Sequence, residues 1–292
     1  MFSMKRLFPA FSGLAVALAM SAAAHAADTY TPSNAYDPGT VAGRMPAVSG
    51  INGKLVGLGG VIDGSAVGAA IGSISVPVPF IPIMGVQVDT LAADLSGPAG
   101  QAQVSERLRD DDVTLLVNSA GYGTYGAFLE QDPDYDTGQV DVNVTAVVAL
   151  SHAALPGMVA RGNGSIVNVS STAAGQPMPF QAVYGATKAF VTSFSYALAD
   201  EVADSGITVM ALHPGYTLSR FHDRAGVSRS SVPSWLWLEP EAVVRQALTD
   251  LKKGRRSSTP GLANRVLLAS AQMSPPRLSA RVSTVLTKRF RP

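Results

Sequence analysis

From Val86 onward the chain alternates short apolar runs with longer amphipathic runs, and this alternation restricts the fold more than any other feature. Residues 113–117 form an unbroken run rich in β-branched and leucine side chains, which is typical of a strand buried on both faces. The predicted strands are 86–92, 113–117, 165–169 and 207–212, and the predicted helices are 98–109, 140–160, 184–202 and 239–252. Strands and helices that alternate at this spacing form a parallel sheet with right-handed crossovers. We therefore predict an α/β domain with a doubly wound parallel sheet over residues 86–261.

The composition excludes several classes of protein. The 292 residues are 47% hydrophobic and 15% charged, which rules out a disordered chain. A net charge of +1 is too balanced for a nucleic-acid-binding protein, so no nucleic-acid partner is expected. There is no cysteine, and the four histidines have no metal-ligand spacing, so no disulfide and no metal site are predicted.

Residues 1–26 have the pattern of an export signal. Lys5 and Arg6 precede an apolar stretch, and Ala24-His25-Ala26 is a small-residue cleavage pattern. An authentic signal predicts export to the periplasm or envelope. The alternative is a cytoplasmic location for the α/β portion.

Residues 27–85 are predicted to be an irregular segment rich in glycine and proline. Eight glycines fall within residues 50–72, and an alternating stretch over 74–80 is interrupted by prolines. We expect an antiparallel hairpin between residues 55–62 and 74–80.

Residues 262–292 form a basic C-terminal tail. From Arg255 to the end there are eight basic residues and no acidic residue. The pattern is consistent with a solvated pair of basic helices. The alternative is a surface that contacts anionic lipid at the membrane periphery, because apolar residues interleave with the charges.

Polar residues follow the predicted strands at one edge of the sheet. Asn118 ends one strand, Ser170 and Ser171 end the next, and Tyr184 and Lys188 open the helix that comes after. Residues four apart share one helix face, so the Lys188 ammonium is expected near the Tyr184 phenol, where it would lower the phenol pKa. Such a tyrosine can act as a general acid or base.

These motifs resemble the classical type of the short-chain dehydrogenase/reductase family, with its Rossmann-like fold. The matching motifs are Asp94-Leu95, Asn118-Ser119-Ala120-Gly121, Asn143, Ser171, Tyr184-x-x-x-Lys188 and Pro214-Gly215. Ser171 stands 13 residues before Tyr184 and 28 after Asn143, as in that family. The resemblance covers residues 86–270.

The resemblance implies carbonyl reduction or secondary-alcohol oxidation with NAD(P), and NADP(H) is expected rather than NAD(H). Tyr184 would exchange a proton with the substrate oxygen, and Ser171 would bind that oxygen. Lys188 would bind the nicotinamide ribose, and Asn143 would hold a water. The other residues expected at the cofactor are Asp94, Leu95, Asn118, Ala120, Gly121, Pro214, Gly215, Thr217 and Ser219.

The chain departs from the family in its first third. No segment matches the family's opening strand, glycine-rich turn and helix, so the sheet is expected to be N-terminally incomplete. Residues 1–85 resemble the start of a Gram-negative outer-membrane porin-type precursor. Two alternatives to an active reductase follow: a catalytically crippled fusion that cannot bind dinucleotide, and an exported envelope protein.

Two expectations concern partners. The apolar residues 235–238 favour a small apolar or lipid-like carbonyl or alcohol as the substrate. The family resemblance implies a homo-oligomer that associates through the helices 140–160 and 184–202.

Overall fold

The strands from residue 113 onward form one parallel sheet, as the apolar runs predict. The computed structural model describes residues 56–58, 61–62, 66–67, 91–110, 113–219, 221, 225 and 232–289. The strands in these residues are β1 (Val56–Leu58), β2 (Val61–Ile62), β3 (Ala66–Val67), β4 (Leu115–Asn118), β5 (Gly164–Val169), β6 (Ile207–Leu212) and β7 (Ser257–Ser258). The helices are α1 (Pro98–Leu108), α2 (Pro133–Val140), α3 (Ala146–Ala160), α4 (Ala182–Glu201), α5 (Pro240–Lys252), α6 (Leu262–Met273) and α7 (Pro276–Arg289). The parallel sheet has the order β1-β4-β5-β6-β7, while β2 and β3 form a separate antiparallel pair.

Hydrophobic cores lie on both faces of the sheet, which makes the fold doubly wound and Rossmann-like. Leu116, Ile166 and Val209 belong to a core that α1 and α3 complete. Their strand neighbours, including Val167 and Met210, belong to the opposite core, where α5 packs. Successive strand residues point to opposite faces, so an unbroken apolar run supplies both cores.

The helices lie close to the predicted bounds, with one element that the sequence analysis missed. The long predicted helix over residues 140–160 is preceded by α2, and a π-helical turn, Asp141–Thr145, joins α2 to α3. The Asp132 side chain accepts a hydrogen bond from the Asp134 backbone N–H (2.9 Å), and proline occupies the first helical position. An Asp-Pro pair of this kind is a helix-start signal that the sequence analysis did not use.

The predicted hairpin between residues 55–62 and 74–80 is wrong where the structure describes it. Val56–Leu58 pairs in parallel with β4, with Val56 opposite Leu116 and Leu58 opposite Asn118. Val61–Ile62 pairs instead with Ala66–Val67. The edge of β4 carries backbone N–H and C=O groups that need partners, and a parallel strand satisfies them.

The remaining N-terminal predictions lie largely outside the described residues. These are the signal peptide over 1–26, the strand over 74–80 and most of the strand over 86–92, of which residues 91–92 form no strand.

The continuous helical run Pro133–Ala160 is long and apolar enough to cross a membrane, but half of its most apolar window is buried inside the fold. We interpret it as a core helix, because α3 contributes buried side chains such as Leu150 and Met158 to the core beneath the sheet.

Candidate active site

Three parallel strands bring the predicted site residues to one edge of the sheet. Asn118 at the end of β4 lies opposite Asn168 of β5, and Val169 lies opposite Leu212 of β6. Ser170 and Ser171 leave β5 at this edge, as His213 and the Pro214-Gly215 turn leave β6. The carboxyl edge of an open α/β sheet is where such folds bind ligands.

Ser171, Tyr184 and Lys188 come together at this edge. Tyr184 and Lys188 are both buried in the first two turns of α4, with the Lys188 Nζ 5.9 Å from the centre of the Tyr184 ring. The Lys188 Nζ donates a hydrogen bond to the backbone oxygen of Val169 (2.8 Å). The Ser171 Oγ accepts one from the Ala173 N–H (3.1 Å). The arrangement places a hydroxyl, a phenol and an ammonium side by side in a water-poor site.

The two adjacent serines have different environments. The Ser170 Oγ is buried and contacts the Lys188 backbone oxygen (2.8 Å) and the Thr192 hydroxyl (2.7 Å). Thr192 in turn contacts the Nε2 of the buried His213 (3.1 Å). Ser170 is thus engaged in holding α4 to the sheet, and Ser171 is the serine that interacts with Tyr184.

Burial, rather than Lys188, dominates the pKa of Tyr184. Burial raises the pKa of Tyr184 to about 12, although a hydrogen bond with the Ser171 side chain acts in the opposite direction. Burial lowers the pKa of Lys188 to about 8. The predicted lowering of the Tyr184 pKa is therefore wrong for this structure, because desolvation disfavours the phenolate and the ammonium alike. Tyr184 is protonated at neutral pH and can donate that proton.

Asn143 lies in the π-helical turn, and its side chain makes three hydrogen bonds. Its Nδ2 donates to the Tyr122 backbone oxygen (2.9 Å) and to the Thr187 Oγ1 (3.1 Å). Its Oδ1 accepts from the Tyr122 N–H (3.2 Å). The side chain thus connects the loop after β4 to α4, and the water that Asn143 was expected to hold stays a prediction.

Asn118 is part of a buried polar network across the sheet. Its Nδ2 donates to the Asn168 Oδ1 (2.8 Å), and the Asn168 Nδ2 donates to the Ser195 Oγ (2.9 Å). The Asn118 Oδ1 is buried without a hydrogen-bond partner among the described residues. An unpaired buried acceptor at this edge fits a ligand that donates a hydrogen bond there.

Two glycines after β4 hold their loop against the catalytic candidates. A methyl group at Gly121 would lie 2.8 Å from the Asn143 Oδ1 and 3.5 Å from the Lys188 Nζ. A methyl group at Gly123 would lie 3.1 Å from Tyr184 Cδ2 and 3.2 Å from Phe221 Cζ. The sequence analysis identified Gly121 but missed Gly123 and Phe221; small residues alternating directly after a buried strand are the signal that points to Gly123.

Asp94 and Leu95, two further predicted cofactor residues, lie before α1 and bond to neighbouring residues. The Asp94 Oδ1 accepts from both the backbone and the hydroxyl of Ser96 (2.9 and 2.7 Å). The Leu95 side chain is buried in the core, and its carbonyl accepts from Gln101 Nε2 (2.9 Å), so its side chain is not available to a ligand.

The remaining cofactor candidates belong to two turns at the same edge. Ala120 is buried in the loop after β4. Pro214, Gly215, Thr217 and Ser219 follow β6, where the Thr217 hydroxyl donates to the Gly215 oxygen (3.1 Å). Gly215 packs closely against the buried side chain of Asn264 in α6, a contact that the sequence analysis did not foresee.

Aromatic side chains border the Tyr184 ring. Phe221 lies 5.4 Å from Tyr184 between ring centres, and Tyr216 lies 5.4 Å from Trp237. Trp237 also donates from its indole to the Val232 oxygen (3.4 Å), whereas Trp235 is exposed. Phe221 thus gives the Tyr184 ring an apolar neighbour.

The sequence of this chain is similar to those of known dehydrogenases and reductases. A sequence model described as short chain dehydrogenase matches residues 81–227, about half of the chain. The chain is 35% identical over 181 residues to hydroxysteroid dehydrogenase-like protein 1 of Gallus gallus, covering 60% of this chain and 53% of the relative. It is 34% identical over 178 residues to the Homo sapiens protein named inactive hydroxysteroid dehydrogenase-like protein 1, covering 59% and 53%. It is 31% identical over 195 residues to very-long-chain 3-oxoacyl-CoA reductase of Bos taurus, covering 65% and 60%. The chain thus spans about half the length of the first of these curated relatives.

Solved structures show the same likeness. A short-chain dehydrogenase from Sphingobium yanoikuyae in complex with NADPH is 35% identical, with a TM-score of 0.59, covering 65% of this chain and 75% of that one. A bulky-bulky ketone specific alcohol dehydrogenase from Comamonas testosteroni is 30% identical, with a TM-score of 0.55, covering 65% and 73%. The family match includes β4, β5, β6 and α4, which carry the candidate site.

Proposed function

Because this chain belongs to the short-chain dehydrogenase family, a family of oxidoreductases, we propose that it reduces a carbonyl or oxidises a secondary alcohol, with Tyr184 as the general acid or base. The observation that carries the proposal is the grouping of Ser171, Tyr184 and Lys188 in a buried site at the carboxyl edge of the sheet. A nicotinamide dinucleotide, when bound, supplies or accepts the hydride.

The residues at this edge fit such a cofactor. Gly121 lies close to the Asn143 Oδ1 and the Lys188 Nζ, because it has no side chain. The buried Asn118 Oδ1 is a hydrogen-bond acceptor without a partner among the described residues. We propose NADP(H) rather than NAD(H), which is supported by the NADPH complex of the similar Sphingobium yanoikuyae protein. The Pro214-Gly215 turn and Thr217 would contact the cofactor from the β6 side.

Ser171, Tyr184 and Lys188 have different roles in the proton transfer that we propose. Ser171 offers a hydroxyl to the substrate oxygen, and Tyr184 passes its proton to that oxygen as the alcohol forms. With a pKa of about 12, Tyr184 holds this proton throughout the physiological range. Lys188, with its pKa lowered to about 8, stabilises the phenolate left behind in the fraction of molecules in which it is charged.

The substrate class that we propose is a bulky apolar or lipid-like carbonyl or alcohol. Phe221 beside Tyr184, and Tyr216 packed on Trp237, support it, because apolar walls bind apolar substrates. The similar proteins named as acting on bulky ketones and on very-long-chain 3-oxoacyl-CoA are consistent with it.

The test is the Tyr184→Phe variant, assayed by NADPH oxidation with a bulky diaryl ketone. Loss of the acidic proton should lower turnover by about a hundredfold to ten-thousandfold. The matched control is Tyr196→Phe, which removes a phenol hydroxyl from an exposed position of the same helix and should leave turnover unchanged. Turnover by Tyr184→Phe at the rate of the control would contradict the assignment.

A second candidate function is that of a non-catalytic family member that does not bind dinucleotide. The observation that favours it is the similarity to the Homo sapiens protein named as inactive, together with the sequence's lack of the family's opening glycine-rich turn. It differs from the first candidate in cofactor binding, which can be measured without any substrate.

A further inference from the structure

Helix α6 presents an apolar stripe to solvent. Leu262, Val266 and Met273 are 70%, 60% and 86% exposed. Successive residues turn by about 100° around a helix, so these three lie on one side, opposite the buried Asn264 and Leu268. The inner side of the helix packs against Gly175 and Gly215, so the packing among the described residues does not require apolar residues on the outer side.

Helix α7 has its polar side turned inward. Ser279 and Ser283 are 5% and 2% exposed, and the Ser283 Oγ contacts the Met178 Sδ at 3.5 Å. Leu278 and Val282, which lie about 100° around the helix from these serines, are 54% and 50% exposed. A helix that only covered its own domain would bury leucine and valine and expose serine.

The same outer surfaces carry uncompensated positive charge. Arg265 on α6, and Arg277 and Arg281 on α7, are exposed, and none pairs with a carboxylate within the described residues. Arg255 and Arg256, by contrast, pair with Asp250 (3.0 Å) and Asp200. No acidic residue follows Asp250 in the sequence, so the two helices have no negative charge of their own.

We propose that the outer faces of α6 and α7 bind the surface of an anionic lipid bilayer. Apolar residues flanked by arginines are the features with which a helix lies in the headgroup region, where the arginines contact lipid phosphates. A second copy of this chain fits less well, since a two-fold interface through this patch would bring the arginines of the two copies together. The exposed apolar residues and the positive charge thus favour the same partner.

The test is flotation of the full chain with vesicles made of equal parts phosphatidylcholine and phosphatidylglycerol, and with vesicles of phosphatidylcholine alone. We expect stronger binding to the anionic vesicles, weakened by added salt. Arg277→Gln combined with Arg281→Gln should weaken it by about 25-fold, about fivefold for each charge. Leu278→Ser combined with Val282→Ser should also weaken it, because these side chains enter the interface.

A control variant separates the effect of these two helices from the effect of positive charge elsewhere on the surface. Arg245→Gln removes an exposed positive charge from α5 and should leave vesicle binding unchanged. Residues 1–26 are largely apolar and could bind vesicles themselves, so the test compares each variant with the wild type, which shares these residues. Circular dichroism checks that each variant is folded. The proposal is overturned if the wild type does not float with anionic vesicles, or if both double variants bind as it does. It is also overturned if the wild type sediments as a dimer that Leu278→Ser with Val282→Ser dissociates.

Discussion

At the scale of single residues, the acid–base behaviour of the site depends on burial. Tyr184 and Lys188 stand one turn apart, yet the phenol pKa rises and the ammonium pKa falls, because both charged forms lose water. The Lys188 Nζ also donates to the Val169 oxygen, which holds it in place beside the ring. The neutral phenol favours the direction in which Tyr184 donates a proton.

The rate of carbonyl reduction should depend on pH through the protonation state of Lys188. Below its pKa of about 8 Lys188 is charged and stabilises the phenolate that forms, and above it this stabilisation is lost. We therefore expect kcat to fall as the pH rises through about 8. The measurement is the pH profile of NADPH-dependent turnover from neutral pH to about pH 10, the ordinary lysine range.

The Lys188→Arg variant provides the control for this prediction. Arginine stays charged over the whole range, so the alkaline fall should move to higher pH in whatever activity remains. An unchanged profile in this variant would show that another group titrates.

At the scale of elements, the π-helical turn between α2 and α3 positions Asn143 for three hydrogen bonds to neighbouring segments. A π turn rotates the residues after it relative to a continuous α-helix, and such turns occur often at functional sites. Here the turn directs a buried amide toward the loop that carries Gly121 and Gly123.

Asn143→Ala should therefore destabilise the fold. It leaves the buried N–H and C=O of Tyr122 without these bonds, at a cost of roughly 1–3 kcal/mol in the free energy of unfolding. Thr145→Ala, at an exposed position of the same turn, should change that free energy by less than about 0.5 kcal/mol. Urea unfolding of the two variants is the measurement, and equal stabilities would show that the Asn143 bonds contribute nothing.

The exposed aromatic residues on α4 allow the association of two copies of the chain to be tested. Phe190 is partly exposed and stacks on Phe194 with ring centres 6.0 Å apart. In the homo-oligomer that we propose through α3 and α4, Phe190→Glu should weaken association at least about tenfold, because it buries an unpaired charge. Sedimentation equilibrium measures this, with Trp235→Glu as a control at an exposed aromatic outside both helices. A wild-type monomer at micromolar concentration would contradict the proposal.

At the scale of the whole molecule, the question is whether the sheet edge binds a dinucleotide. β1 occupies the position beside β4 and ends level with Asn118, so the sheet continues past β4. Asn118, Ser171 and the loop that contains Gly121 lie at this same edge of the sheet. Among the described residues, β1 thus adds a strand to a sheet that was expected to be N-terminally incomplete.

We expect NADPH to bind with a micromolar dissociation constant, measured by nicotinamide fluorescence. Gly121→Ala should weaken binding, because its methyl group would lie 2.8 Å from the Asn143 Oδ1 and close to Lys188. Gly97→Ala, whose methyl group meets no atom within 4 Å, is the matched control. A dissociation constant weaker than millimolar for the wild type would favour the non-catalytic candidate.

Local patterns of apolar and polar residues were enough to predict the central strands of the sheet. Apolar runs predicted β4, β5 and β6 to within two residues, because a strand buried on both faces must be apolar throughout. The four-residue spacing predicted that Tyr184 and Lys188 share one face of α4, and the family resemblance implied that Ser171 meets them.

Features that depend on contacts between residues far apart in the sequence could not be predicted from local patterns. β1 pairs with β4 across more than fifty residues of chain, and a run of three residues carries no local sign of its partner. The pKa of Tyr184 depends on how much water the rest of the fold removes, which a helical spacing cannot show. The exposure of Leu278 and Val282 was likewise decided by packing, because an amphipathic pattern does not say which side of α7 meets the domain.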